Sequence, residues 1–351
     1  MINLFFKIKV DGALDIGTTA IKGLKLKKNK IEKMTLLELS QGTILNGDIV
    51  DYDKFTSRLK EIVELLELKN KNVVISLPVQ DFFVKFLNIP LVDDKEKLAM
   101  IEGELEELIP NFTPEEFITE YISLNFVGDN EEVIAITINK DKIKNLIEIA
   151  TAAKISIVKI IPDFVSLYNF LQFQKEKDKI EVEESVMVVD IGAETTKLFI
   201  EKGGDIKLQR IIAIGGNDLN DIITRIYNVD YVEAERIKKS LELAKDEYNK
   251  ESENENDREL FEEIAKLISQ LEKQLKVSIE FYVSHESTPG LDKIYITGGG
   301  SLIKGFKNIL KKSLEIDIDD FSYSKIIMEQ FDEIDSAKCI SLLGNIIEEV
   351  K

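Results

Sequence analysis

Asp15-Ile16-Gly17-Thr18-Thr19-Ala20-Ile21-Lys22 returns later in the chain as Asp190-Ile191-Gly192-Ala193-Glu194-Thr195-Thr196-Lys197. In both stretches a glycine follows the aspartate by two positions and a lysine follows it by seven, with small hydroxyl residues between. Glycine lets the backbone bend and come close to an anion. Hydroxyls and successive N–H groups donate hydrogen bonds to it, lysine supplies charge, and an aspartate can hold a hydrated Mg²⁺. The pair therefore reads as a duplicated phosphate-binding turn, one copy in each half of the chain.

The surroundings place both turns in β-hairpins. After the first, Ile21, Gly23, Lys25 and Lys27 alternate with Lys22, Leu24, Leu26 and Lys28, and a second strand begins near Ile31. After the second, Leu198 to Ile200 lead through Lys202-Gly203-Gly204-Asp205 into an extended stretch from Ile206 to Ile214. A Walker loop or a dinucleotide fingerprint needs a strand, a glycine-rich turn and then a helix, and neither pattern occurs here.

Working outward, residues 54–68 carry helical apolar spacing through Phe55, Leu59, Ile62, Val63, Leu65 and Leu66, and 72–78 reads as a buried strand. From Phe82 to Val158 the order is strand (82–89), helix (94–108), strand (118–126), strand (133–138) and helix (142–153), a small α+β unit closed by a buried strand over 155–161. Residues 245–257 are almost devoid of apolar side chains and read as a solvated loop. An amphipathic helix over 259–284 follows, with Phe261, Ile264, Leu267, Ile268, Leu271, Leu275, Ile279 and Tyr282 on its apolar face. Lys293 to Thr297 is a strand entering Gly298-Gly299-Gly300-Ser301, and 302–314 reads as a helix.

A length of 351 residues suggests two lobes, and 44% hydrophobic residues suffice for their cores. The net charge of −19 opposes non-specific binding to nucleic acid or to an anionic membrane, and favours a basic or apolar partner. Cys339 is the single cysteine, which excludes an intrachain disulfide and fits the cytosol. His285, the single histidine, has no cluster with which to hold zinc and reads as a surface residue at a helix end. No Ser-His-Asp arrangement is supported. Lys7 and Lys9 interrupt the apolar opening, which does not read as a signal peptide, and no apolar run approaches the roughly 20 residues of a membrane-spanning helix.

The order of the three glycine-rich elements, with Gly215-Gly216-Asn217 trailing the second hairpin, resembles the actin-like ATPase superfamily of actin, sugar kinases, seventy-kilodalton heat-shock chaperones and FtsA. Ser76-Leu77-Pro78, Ile89-Pro90, Leu108-Ile109-Pro110, Ile214 to Leu219, Glu233 to Lys238 and Ile296 to Gly305 narrow the resemblance to the PilM family of type IV pilus assembly proteins. The fold implied is α/β: a two-lobed, actin-like duplication of a ribonuclease H-like lobe with an inserted small α+β subdomain. Lobe I would take 10–80, 155–178 and 325–351, with the inserted 1C subdomain at 81–154. Lobe II would take 181–225 and 290–324, with subdomain 2B at 226–289 containing the acidic loop 245–258.

The resemblance also implies a nucleotide, ATP or ADP with Mg²⁺. Asp15, Gly17, Thr18, Thr19 and Lys22 would form the first phosphate loop, and Asp190, Gly192, Thr195 and Thr196 the second, with Lys197 a weaker candidate. Asp15 and Asp190 would approach Mg²⁺ through water. Gly215, Gly216 and Asn217 would lie near the nucleotide, Glu233 and Lys238 would contact ribose and base, and Gly298, Gly299, Gly300 and Ser301 would face adenine and the α-phosphate. Asp163 matches an acidic position that can reach Mg²⁺ or an attacking water. Lys159, Ile160 and Ile161 stand where related chains carry an additional acid, and Glu194 adds negative charge to the second loop, so binding is favoured over fast hydrolysis.

The implied partner is the cytoplasmic N-terminal peptide of PilN, alongside other pilus platform or motor proteins and self-association. The implied location is the inner face of the cell membrane, reached through that partner. An FtsA-like division protein would be expected to end in a basic amphipathic helix, whereas Leu342 to Lys351 is acidic. A sugar kinase would need a substrate-facing aspartate and a larger insertion.

Overall fold

The computed structural model describes residues 9–45, 47–178, 181, 183–243, 254–286, 290–321 and 336–347. The chain divides into two compact units, Met1–Phe170 with Ser341–Lys351, and Leu171–Ile340.

The first unit is built on strands β1 (Gly12–Ile16), β2 (Ala20–Lys27), β3 (Lys30–Glu38), β6 (Asn72–Leu77) and β10 (Ser156–Pro162), in the order β10-β6-β1-β2-β3. β1 is antiparallel to β2 and parallel to β6, and β6 is parallel to β10. A two-stranded ribbon of β4 (Ile44–Leu45) and β5 (Asp48–Ile49) precedes helix α1 (Tyr52–Leu65). Asp51 caps α1 by accepting the Lys54 amide at 3.0 Å. Phe55, Leu59, Ile62 and Val63 then fall on one face and are fully buried against the sheet, each contributing about 2 kcal/mol. Leu65, expected in that stripe, is half exposed, because the helix ends there and Glu67 turns the chain with a positive φ. β10, expected to be buried, is an edge strand whose Ile157, Val158 and Ile160 are only half covered.

Also in this unit, β7 (Phe83–Pro90), β8 (Phe117–Val127) and β9 (Asn130–Asn139) form a separate antiparallel sheet in the order β7-β9-β8. Helix α2 (Asp94–Leu108) packs Ile101 and Leu105 on it, against Ile89, Val133 and Ala135. The buried Lys97 ammonium of α2 pairs with the buried Glu131 carboxylate of β9, which raises the lysine and lowers the glutamate. Helix α3 (Lys140–Ala152) buries Leu146, Ile149 and Ala150 in the core beneath the five-stranded sheet.

In the second unit, β11 (Val186–Ile191), β12 (Thr196–Lys202), β13 (Asp205–Ile212), β14 (Lys293–Thr297) and β15 (Asp317–Asp320) take the order β13-β12-β11-β14-β15. The pairing repeats the first unit: β11 is antiparallel to β12 and parallel to β14, and β14 is parallel to β15. Helix α4 (Asp163–Asp178) contains the boundary between the units, and α5 (Gly216–Tyr227) and α6 (Tyr231–Ser240) follow β13.

The long helix α7 (Glu255–Glu286) begins earlier than its apolar spacing predicts. Asn254 accepts the Asn256 amide, and Glu255 and Asp257 lie in the first turn, where the helix dipole favours negative charge. Residues 255–258 of the expected acidic loop are therefore helical, while 245–253 lie outside the described residues. Leu260, not Phe261, is the buried first member of the α7 stripe. The helix expected over 302–314 starts later, as α8 (Phe306–Leu314), because Gly305 at φ +86 ends the preceding turn. Helix α9 (Ile340–Gly344) and the residues to 347 return to the first unit.

Candidate functional site

The parallel strands of each unit end along one edge, the place where open α/β sheets bind ligands. In the first unit, β1 leads from Asp15 into Gly17-Thr18-Thr19, and the Gly17 amide donates to the Ala20 carbonyl at 2.9 Å to close the turn. In the second, β11 leads from Asp190 into Gly192-Ala193-Glu194, and the Gly192 amide donates to the Thr195 carbonyl at 3.0 Å. Asp15 stands opposite Lys22 and beside Ser76, and Asp190 opposite Lys197 and beside Thr297, so the signatures occupy equivalent register positions.

Asp15 is buried, with 4% of its surface exposed. Its Oδ2 accepts from the Lys22 ammonium at 2.7 Å, and its Oδ1 from the Ser76 hydroxyl at 2.8 Å and the Ser341 hydroxyl at 3.2 Å. No described residue hydrogen-bonds the Thr18 or Thr19 hydroxyl, and Thr19 is exposed. Those two hydroxyls are thus placed at the turn with donors to spare. Asp163, at the end of β10, is buried and accepts the Val79 amide at 3.0 Å through Oδ1, fastening the start of α4 to the segment after β6.

The second turn is held differently. Its Gly192 and Ala193 carbonyls accept the Gly216 and Asn217 amides at 2.9 and 2.7 Å, and the Thr196 hydroxyl donates to the Ile214 carbonyl at 2.8 Å. The first amides of α5 are therefore spent on protein. A Cβ on Gly215 would meet the Ala193 carbonyl oxygen at 2.4 Å, so this glycine serves close packing of α5 on the hairpin. The Asn217 side chain accepts from the Tyr231 hydroxyl at 2.6 Å. Lys238 donates to the Gly216 carbonyl at 3.2 Å and pairs with Glu235 at 2.6 Å. Burial pushes the Glu235 carboxyl up, but hydrogen bonds from Lys238 and Asn220 outweigh it and leave the group lowered. Glu233, the glutamate singled out in the sequence, pairs instead with Arg236 on the exposed side of α6, which lowers it. Glu235, overlooked in the sequence, is the one turned towards the hairpin side of α6, and only its three-residue spacing from Lys238 could have signalled this.

The triple glycine turn follows β14. Gly298 has φ +83, its amide donates to the Ala337 carbonyl at 3.1 Å, and a Cβ there would stand 2.3 Å from Asp190 Oδ1. Gly300 is as crowded, by the Ile191 side chain, whereas the nearest neighbour to a Cβ on Gly299 would be the Lys338 chain at 3.8 Å. The Ser301 hydroxyl turns back to the Gly298 carbonyl at 2.8 Å. Beyond it lies a cavity of about 350 Å³ lined by Ser301, Leu302, Ile303, Lys304, Gly305, Lys307, Asn308, Asp320, Phe321 and Ala337.

Among the described residues no cluster of three or more His, Cys, Asp or Glu is arranged as a metal site. Asp190 presents the more open carboxylate, its side chain 15% exposed against 6% for Asp15, with Lys197 at 3.6 Å. His285 is exposed at the end of α7, stacked on Phe281. No described helix is long and apolar enough to cross a membrane.

Two units with one sheet order, each with an Asp-Gly hairpin at the same position, define the duplicated α/β fold of the actin-like superfamily. Solved structures agree: a PilM–PilN type IV pilus biogenesis complex matches with a TM-score of 0.81 at 20% identity, over 98% of this chain and 99% of that one. MreB5 of Spiroplasma citri bound to ADP matches with a TM-score of 0.53 at 15% identity, over 96% and 94%. The cell division protein FtsA of Staphylococcus epidermidis is 23% identical over 256 residues, 64% of this chain, and the chain spans about half the length of that curated relative. The model of the type IV pilus assembly protein PilM family matches residues 13–338, and the chain belongs to that family.

Proposed function

We propose that the chain is a nucleotide-responsive assembly protein of the type IV pilus machinery, binding ATP or ADP with Mg²⁺ through its two Asp-Gly hairpins and turning it over slowly. The observation that carries this reading is the pair of Thr18 and Thr19 hydroxyls, placed on a closed turn beside a lysine and bonded to no described residue. The triple glycine turn adds an open position, Gly299, where a base could lie against backbone. The fold it shares with an ADP-bound MreB5 supports the choice of ligand. Slow turnover follows from the carboxylates: Asp15 is neutralised by Lys22, and Asp163 is engaged by the Val79 amide. Gly216, Asn217 and Lys238 then act as scaffold around the second hairpin more than as ligand contacts, and Glu233 lies on the exposed side of α6.

The proposed partner is the cytoplasmic N-terminal peptide of PilN; a PilM–PilN type IV pilus biogenesis complex whose fold this chain shares supports PilN as the partner. The three-stranded sheet suits an apolar segment, since Phe83, Ile118, Phe126 and Val127 are exposed on β7 and β8. The surplus of acidic residues suits a basic flank. This partner would keep the chain at the inner face of the membrane.

Titration with fluorescent ATP and Mg²⁺ tests the first part. Thr19→Val and Gly299→Ala leave the packing intact and should each weaken binding about tenfold, a loss of about 1.4 kcal/mol. Identical affinity in the parent and both variants would refute the site. Titration with a synthetic PilN N-terminal peptide tests the second part, which falls if the parent does not bind and Phe126→Ser makes no difference.

A further inference from the structure

Residues 341–347, within the stretch expected to return to the first lobe, pack deep in the first unit, with Leu342, Leu343 and Ile346 buried. Gly344 explains how. A Cβ at this position would lie 1.8 Å from the Ser166 carbonyl oxygen, so the segment meets α4 backbone to backbone. That approach carries two polar side chains, Ser341 and Asn345, each 7% exposed, up to the end of β1.

There they complete a directed chain of hydrogen bonds. The Ser166 hydroxyl donates to Asn345 Oδ1 at 2.5 Å, and Asn345 Nδ2 donates to the Ser76 hydroxyl oxygen at 2.9 Å. Ser76 has a single proton, and with its oxygen already accepting, that proton goes to Asp15 Oδ1 at 2.8 Å. Ser341 delivers a second hydroxyl proton to the same oxygen, and the other carboxylate oxygen is left to the Lys22 ammonium. Reversing the Asn345 amide would offer Ser76 an acceptor in place of a donor, and the Ser76 proton would be drawn away from Asp15. The direction of the whole chain therefore depends on Asn345. At the equivalent register position of the second unit, the Thr297 hydroxyl donates to the Ala337 carbonyl at 2.8 Å.

We propose that Ser341 and Asn345 are positioning residues for the first phosphate turn: through Ser76 they fix the Asp15 carboxylate, and Asp15 in turn holds the Lys22 ammonium at the turn. The consequence for phosphate affinity rests on the nucleotide reading above. The positioning of Asp15 and Lys22 does not.

The test uses the full chain with Ser341→Ala, Asn345→Asp and the conservative Ser341→Thr. In ligand-free protein, amide hydrogen exchange of peptides spanning 15–22 should quicken about fivefold in the first two variants, the equivalent of one lost hydrogen bond. Ser341→Thr should restore the parent rate, and peptides spanning 190–197 should not change. MgATP affinity should fall by a similar factor in the same two variants. Unchanged exchange at 15–22, or a uniform rise across the first unit that Ser341→Thr does not reverse, overturns the proposal. If Asn345→Asp does not fold, Ser341→Ala, which deletes one hydroxyl, decides alone. A parent that binds no MgATP while exchange responds selectively would refute the nucleotide reading and uphold the positioning of Asp15.

Discussion

In the first unit the signature aspartate lies between a lysine at 2.7 Å and two serine hydroxyls, whereas in the second its counterpart is more exposed, with its lysine at 3.6 Å. The backbone tells the opposite story. The Gly192 and Ala193 carbonyls of the second turn accept two amides of α5, whereas in the first turn the Thr19 carbonyl accepts the Leu39 amide and the Thr18 and Thr19 hydroxyls hydrogen-bond no described residue. Equal strand order and equal register thus do not give equal sites. One unit holds its carboxylate more tightly and leaves its turn hydroxyls unbonded by described residues; the other ties its turn to α5 and leaves its carboxylate somewhat more exposed.

Breaking the lysine partnerships should expose this difference most. Lys22→Met takes the ammonium from a buried carboxylate and is expected to cost about 3 kcal/mol, while Lys197→Met, beside a better solvated one, should cost under about 1 kcal/mol. Denaturant midpoints of the two variants would show it, and equal losses would contradict the contrast. Within the triple glycine turn, Gly298→Ala forces a side chain into a left-handed backbone and against Asp190, so thermal unfolding should report a loss of about 2–3 kcal/mol. Gly299→Ala should stay within about 0.5 kcal/mol of the parent.

The smallest effect concerns acid. The Glu235 carboxyl is lowered in the folded state, so its contribution is complete above the ordinary carboxylate value of 4.5 and is lost as pH falls through the lowered one. Glu235→Gln should remove that part of the acid sensitivity, worth under about 1 kcal/mol, as read from unfolding midpoints between neutral and acid pH. A variant with the parent's full pH dependence would show that Glu235 and Lys238 do not brace the second hairpin.

Much of this was legible in the sequence because it is local. Two hairpins, the α2 helix and β14 follow from alternation, helical spacing and turn residues within short windows, and the repeated Asp-Gly spacing anticipated the repeated sheet order. What escaped was set by residues distant in sequence. Ser76 is the lone polar residue in the run Val73 to Leu77, a sign that something polar must meet it, but nothing nearby names Asp15 or Asn345. Glu233 and Glu235 are indistinguishable by composition; the three-residue spacing puts Glu235 on the same face of α6 as Lys238, and only the docking of α6 on α5 decides that this face is the covered one. Likewise, Gly298 and Gly299 read alike until the end of β11 is placed against one of them.

The polar chain around Asp15 also constrains the order of folding. Ser341 lies 326 residues from Asp15, and Asn345 269 residues from Ser76. During synthesis the first sheet can pair early, yet its buried Asp15 and Ser76 lack these donors until Ser341 and Asn345 have emerged. The second unit is contiguous from Leu171 to Ile340 and can finish first. The first unit is thus completed by residues that follow the whole second unit in the chain, so a truncation just before Ser341 would leave the second unit's residues intact, the buried Asp15 without the Ser341 hydroxyl and Ser76 without the Asn345 amide.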